Sequence, residues 1–171
     1  MRSGPLFFSE ILILSLVWLA LAVMVGGLAW ALWVNRRNSQ GPEAIEFAKG
    51  QLPDPLPDGN YDGSQFKGLG RKWQGKHFDR AAGTGINLFT NGRRYSFVVG
   101  TGSGLTNQAL QVFKINYNSR SNPVLLHLIT DELVQVGPDS YLGKVQLRIP
   151  GEALTIAYFR LNRPPKNQQD H

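Results

Sequence analysis

The stretch FVVGTGSGLTNQALQVFKINY, residues 97–117, decides the fold. Gly100, Gly102 and Gly104 follow an apolar run, which is the setting of a loop that cradles a phosphate. A dinucleotide fingerprint needs G-x-G-x-x-G at the mouth of a helix, where free backbone N–H groups meet the pyrophosphate. Here the spacing is G-x-G-x-G, and no Gly-Lys-Ser or Gly-Lys-Thr closes the run as a Walker loop would, the next lysine being Lys114. Leu110, Val112, Phe113, Ile115 and Tyr117 interleave with Gln111, Lys114 and Asn116, a strand pattern rather than that of a crossover helix. The glycines therefore read as a flexible connection between antiparallel strands.

Working outward, the chain beyond residue 60 is a series of short β-rich runs: 61–66, 72–78, 86–89, 94–99, 110–117, 132–136, 141–149 and 153–161. Turn chemistry separates them. Asn91-Gly92 is the strongest short hairpin signal, while Gly137-Pro138-Asp139-Ser140 and Pro150-Gly151-Glu152 supply the Pro and Gly of tight reversals. The last three strands should form a meander. Residues 122–130, NPVLLHLIT, read as one short helix with Val124, Leu125, Leu128 and Ile129 on one face. Many short strands in one small domain must hide their edges, so a small antiparallel barrel is expected, with a sandwich as the alternative. Phe113, Leu147, Ile149, Ile156 and Tyr158 are candidates to fill it, and Gly75, Gly143 and the pair Gly83 and Gly85 are candidates for kinks or bulges.

The N-terminal part is of another kind. From Ile11 to Val34 no residue is charged. At about 1.5 Å per residue such a run spans roughly 36 Å as a helix, enough to cross a hydrocarbon core of about 30 Å. Trp30 and Trp33 lie near its end, where indoles favour the headgroup layer, and Arg36 and Arg37 follow as charged anchors. Trp18 lies deeper and would face lipid or a neighbouring helix, which Gly26 and Gly27 would let approach closely. The run is too long for a cleaved signal peptide, which has an apolar core of about 7–15 residues. Arg2 and the α-amino group precede the span while Arg36, Arg37 and Lys49 follow it, and this narrow excess makes the expected placement the inner membrane with the N-terminus outside and the β domain in the cytoplasm. The absence of cysteine is compatible with that side. The expected layout is a tail at 1–10, a transmembrane helix at 11–34, a juxtamembrane helix (42–49) and Pro-rich linker within 35–60, a β-rich domain at 61–162 and a disordered tail at 163–171.

Catalytic chemistry is scarce. The chain has no Cys and its imidazoles are His77, His127 and His171, so neither a nucleophile with its base nor a metal-ligand spacing emerges. Asp131-Glu132 is the one adjacent acidic pair in the β region, and a turn or lysine partners account for it. A non-enzymatic domain with no cofactor is expected. What stands out is charge. Residues 67–94 contain seven basic residues, Lys67, Arg71, Lys72, Lys76, Arg80, Arg93 and Arg94, against the single acid Asp79, which gives the net charge of +6 a location. Phe66, Trp73 and Phe78 interleave with them as stacking residues on nucleic acid do, but beside a membrane anchor nucleic acid is not the expected partner. With Arg36 and Arg37, these cations are candidates to meet anionic lipid headgroups or an acidic face of another membrane protein.

One span, an outside N-terminus and a β-rich cytoplasmic domain resemble, in architecture, the H subunit of purple-bacterial photosynthetic reaction centres. The segment from Trp73 through GKHFD and GTGINLF, with DELVQV and YLGK, is similar to uncharacterised bacterial single-span proteins. Together these resemblances imply a bacterial accessory subunit that docks on and stabilises a larger photosynthetic or respiratory membrane complex. GRKWQGKHF is similar to the opening of lipocalin-like domains, which implies instead a barrel holding a small apolar ligand. A barrel filled by its own side chains argues against that reading, and a cavity of a few hundred cubic ångströms argues for it.

Overall fold

The computed structural model describes residues 5–64 and 72–164. Helix α1, Pro5–Ser39, is apolar around its whole circumference, and its residues 10–30 touch little of the rest of the chain. By length and composition it is a candidate membrane span over Glu10–Ser39. Helix α2, Pro42–Lys49, starts on Pro42, whose missing N–H costs nothing in a first turn. It lays Phe47 on the outside of the β domain.

Eight strands follow: β1 Gly59–Ser64, β2 Trp73–Asp79, β3 Thr84–Phe89, β4 Gly92–Ser103, β5 Gln111–Asn116, β6 Ile129–Gly137, β7 Ser140–Ile149 and β8 Glu152–Asn162. Each pairs antiparallel with its neighbour in sequence, and β1 pairs with β8, Asp62 opposite Asn162, so the sheet closes into an up-and-down barrel. Closure leaves no edge strand to template aggregation. The strands expected from sequence all form, and the barrel stands in place of the sandwich.

Three local expectations are corrected. Gly100 and Gly102 lie within β4, opposite Lys114 and Val112, so the strand runs through the glycine stretch and the connection is confined to 104–110. No helix follows them. Residues Val124–Leu128 form a 3-10 helix with Val124, Leu125 and Leu128 exposed, while Leu126 and Ile129 pack on the core. Tyr158 points out of the barrel onto Phe47, because the β8 positions facing inward are Ala157, Phe159 and Leu161.

The barrel has two unlike ends. At one end lie the β2–β3, β4–β5 and β6–β7 connections, and rings of Tyr61, Phe78, Phe97, Phe113 and Tyr141 fill the interior there in edge-on and tilted contacts at 5.4 to 5.8 Å. After α2 the chain bridges β6 through Gln51 and Gln135, and Leu52 and Leu56 pack against this same core. At the other end lie the β3–β4, β5–β6 and β7–β8 connections and the place where α1 joins the barrel.

Two sites control this arrangement. In β2 the register slips between Trp73 and Gly75, inserting one residue opposite Phe89 and Leu88. Strict alternation from inward Trp73 would turn Lys76 outward; the inserted residue turns it inward. Gly75 has φ +141°, and a Cβ there would meet the Tyr61 carbonyl oxygen at 1.9 Å. Gly75→Ala should therefore lower stability by more than about 2 kcal/mol, or abolish folding, as read by chemical denaturation in mild detergent. Outside the barrel, Arg160 makes a bidentate ion pair with Glu46 of α2, and its hydrogen bonds hold the Glu46 carboxyl below its ordinary value. A lowered carboxylate stabilises the folded form at pH values above the unfolded group's range and loses that contribution as pH falls through the folded value. The protection of the α2 amides, taken relative to their intrinsic exchange rate at each pH, should thus fall on acidification before that of the barrel strands does, and Glu46→Gln should remove this pH-dependent difference.

Candidate functional site

Halfway along the barrel the aromatic filling stops. Above it, toward the α1 end, lies a cavity of about 330 Å³ walled by Trp73, Phe89, Tyr95, Ile129, Ile156 and Phe159, with Trp30 of α1 at its margin. Its floor is polar. Lys76, 2% exposed, donates from Nζ to Asn87 Oδ1 at 2.9 Å, Tyr117 Oη at 2.5 Å and Asp131 Oδ2 at 3.0 Å, which uses all three ammonium protons. Tyr117 in turn donates to Asp131 at 2.8 Å. Asn87 also accepts from the Trp73 indole at 3.2 Å and donates to the Tyr95 carbonyl at 3.1 Å.

The electrostatics follow from this closure. Burial pushes the Lys76 ammonium down from its ordinary value, and the Asp131 charge opposes that shift. Burial, with the same carboxylate, pushes the Tyr117 phenol well up, so Tyr117 stays a neutral donor. The ammonium is further flanked by the rings of Phe159 at 4.9 Å and of Phe97 and Tyr117 at 5.2 Å. One cation and one anion share the floor, and the site is neutral as a whole.

Bulges position these parts. In β4 Tyr95, with φ +60°, is the extra residue between the Ile86–Ser96 and Asn87–Arg94 pairs. This leaves its carbonyl for Asn87 and puts its ring in the cavity wall. In β8 Ile156 is the extra residue between the Val145–Ala157 and Gln146–Thr155 pairs. Thr155 beside it donates its N–H to Asn35 at 2.7 Å and accepts from Asn38 at 3.3 Å, so the end of α1 is hydrogen-bonded to the barrel next to the cavity.

The acidic pair is explained by β alternation. Asp131 points in to Lys76, whereas Glu132 points out, 3.0 Å from Lys144 beneath Phe47 of α2. Lysine partners, one of the two explanations available from sequence, are thus what the two carboxylates have. Of the expected contact residues, Lys76 is a correction: it belongs to the interior. Among the described residues the remaining cations do not form one face. Lys72, Arg93 and Arg94 are exposed at the α1 end, while Arg80 lies at the far end, 3.8 Å from Asp58. Arg36 and Arg37 are exposed at the end of α1, Arg37 against the Trp33 ring at 5.7 Å. Lys67, Arg71 and Phe66 lie outside the described residues, as do residues 165–171 of the expected tail. Trp18, Gly26 and Gly27 are exposed on α1, and neither glycine has a neighbour within 4 Å of its Cβ direction. Sequence reading passed over Asn87, Tyr117 and Asp131 as cavity residues; the one available signal was Asp131 at an inward period of 129–137, between apolar neighbours.

No protein-family model matches the chain, and no curated protein matches it. A crystal structure of a protein from Thermomonospora curvata is similar in fold, with a TM-score of 0.50 and 19% sequence identity over 77% of this chain and 99% of that one.

The floor sets a clear expectation. Removing one partner of a buried ion pair costs about 3–5 kcal/mol because the other charge is left uncompensated, whereas replacing both by apolar groups is close to neutral. Lys76→Met should therefore be strongly destabilising in chemical denaturation of the detergent-solubilised chain, and adding Asp131→Leu should restore most of the loss.

Proposed function

We propose that this chain is a non-catalytic, membrane-tethered binding protein that holds one small, uncharged, largely apolar molecule in its barrel. The cavity over a closed polar floor is the observation that carries this reading. Its volume lies at the small end of the range of ligand sites, and its walls are aromatic and aliphatic, as such sites usually are. Because Lys76 is neutralised by Asp131 and has no proton to spare, a ligand carboxylate would have to displace a buried partner, so neutral molecules are favoured over anionic ones. The tether is α1, and the excess of Arg36, Arg37 and Lys49 over Arg2 and the α-amino group supports an inner-membrane span with the N-terminus outside and the barrel in the cytoplasm.

A second reading, an accessory subunit of a larger membrane complex, draws on the exposed surface of α1 around Gly26 and Gly27. Other membrane-protein subunits would then be partners, and cross-linking from Gly26→Cys in native membranes would capture them. The binding reading is tested with the full chain in mild detergent and the neutral fluorophore N-phenyl-1-naphthylamine. The probe should bind with saturable fluorescence enhancement. Decanol should displace it at least about tenfold better than decanoate, since each charge left unpaired in an apolar site costs several kcal/mol. Ala157→Phe, which fills the cavity, should abolish binding while leaving the folded spectrum intact. Absence of saturable binding, or equal binding by the filled variant, would overturn the reading.

A further inference from the structure

The α1 end of the barrel carries a combination absent from the far end. The 3-10 helix Val124–Leu128 connects β5 to β6 there, turning Leu126 into the cavity wall and leaving Val124 77%, Leu125 78% and Leu128 45% exposed. Around the same end stand the exposed cations Lys72, Arg93, Arg94 and Arg120, with Glu152 and, beside the end of α1, Glu43 as acids. At the far end the charges among the described residues are Asp54, Asp58, Asp79 and Asp139 with Lys49, Arg80 and Arg163, of which Arg80–Asp58 and Arg163–Asp139 are paired. Among the described residues the barrel therefore has an electrostatic axis with its excess of positive charge on the side of α1. The helix leaves the barrel on that side: Asn35 and Asn38 bond to Thr155 near the start of β8, Ala31 is buried, and every residue from 10 to 30 is exposed.

We propose that this end of the barrel lies on the anionic surface of the bilayer that holds α1, with Val124, Leu125 and Leu128 inserted at the boundary of headgroups and acyl chains. An apolar helix that spans the bilayer and is hydrogen-bonded at its end to β8 holds the barrel with its α1 end against the membrane. Trp30, at the depth where indoles settle in the headgroup layer, lines the cavity itself. The exposed apolar turn then meets lipid rather than water, and the cations around it meet phosphate groups, the pairing of apolar anchors with basic residues by which peripheral elements hold to anionic membranes. A cavity bordered by Trp30 and Leu126 on one side and lipid on the other fills from the bilayer, so its ligand is a membrane-soluble molecule. The docking rests on α1 spanning the bilayer and not on the cavity's occupant.

The chain has no cysteine, so single introduced cysteines carry spin labels without competition. Full-length Leu125→Cys, Asp139→Cys and Val23→Cys variants, all at exposed positions, are reconstituted in nanodiscs of phosphatidylcholine with and without phosphatidylglycerol. Collisions with oxygen and with an aqueous nickel chelate are then compared. The label at 23 should read as lipid-buried and that at 139 as aqueous. The label at 125 should shift toward oxygen in the anionic discs, and adding Arg93→Glu and Arg94→Glu should move it back toward water. A label at 125 as aqueous as that at 139, with 23 buried, would overturn the docking and leave a protein partner to cover the turn. An aqueous label at 23 would overturn the span on which it rests. Depth at 125 indifferent to both phosphatidylglycerol and charge reversal would overturn the role of the cations.

Discussion

The buried pair of Lys76 and Asp131 is the constraint around which the barrel is organised. A full charge on β2 and its counter-charge on β6 lie 3.0 Å apart in the interior, where the loss of hydration is offset only if every proton and lone pair finds a partner. Asn87 supplies such partners from β3 and Tyr117 from the position that follows β5, so three strands and the end of a fourth meet at one network. No apolar residue can be packed through it. Below the network the aromatic rings interlock; above it the ammonium and its acceptors form a flat floor, and the remaining space stays open as the cavity. The open space in this small barrel thus follows from where the charge was buried.

That burial depends on backbone irregularity. Gly75 accepts a conformation that no other residue tolerates beside the Tyr61 carbonyl, and the inserted residue swings Lys76 from the outer to the inner face. Tyr95 and Ile156 play matching parts in β4 and β8. Three bulges therefore border the cavity. Such bulges bend the strands that carry them, and the last presents Thr155 to Asn35 and Asn38, so the geometry that borders the cavity also docks the helix beside it.

The fold was largely legible in the sequence because its signals are local. Asn91-Gly92, Pro138-Asp139 and Pro150-Gly151 each fix a reversal by their own backbone preferences, and each joins the strands that the alternating runs implied. The cavity was not legible, for reasons that are equally physical. Lys76 sits in a run rich in cations, and most lysines are exposed, so only the bulge at Gly75 distinguishes it from Lys72 four residues earlier. Its partners are 11, 41 and 55 residues away, a closeness that exists only once the barrel has closed. The exposed turn was misread because a period near 3.6 grouped Val124, Leu125, Leu128 and Ile129 on one face. The segment winds with a period near 3, which sends Leu126 and Ile129 inward instead.

The glycines of 100–104 make the complementary point. Their spacing suggested a phosphate loop or a flexible link, yet Gly100 and Gly102 occupy regular ladder positions, and a side chain at either would meet no obstacle nearer than the end of Lys114 at 3.8 Å. Neither close backbone approach nor a left-handed turn calls for glycine there. Gly75, a candidate bulge position in the sequence, is where a Cβ would strike backbone most closely, at 1.9 Å from the Tyr61 carbonyl oxygen. A glycine's weight in a fold comes from what its missing side chain would strike, and in a closed barrel the strand across the ladder determines that, not the neighbours in sequence. The chemical character of the interior, a neutralised lysine beneath an apolar space, is in this sense set by one hydrogen atom opposite the carbonyl of Tyr61.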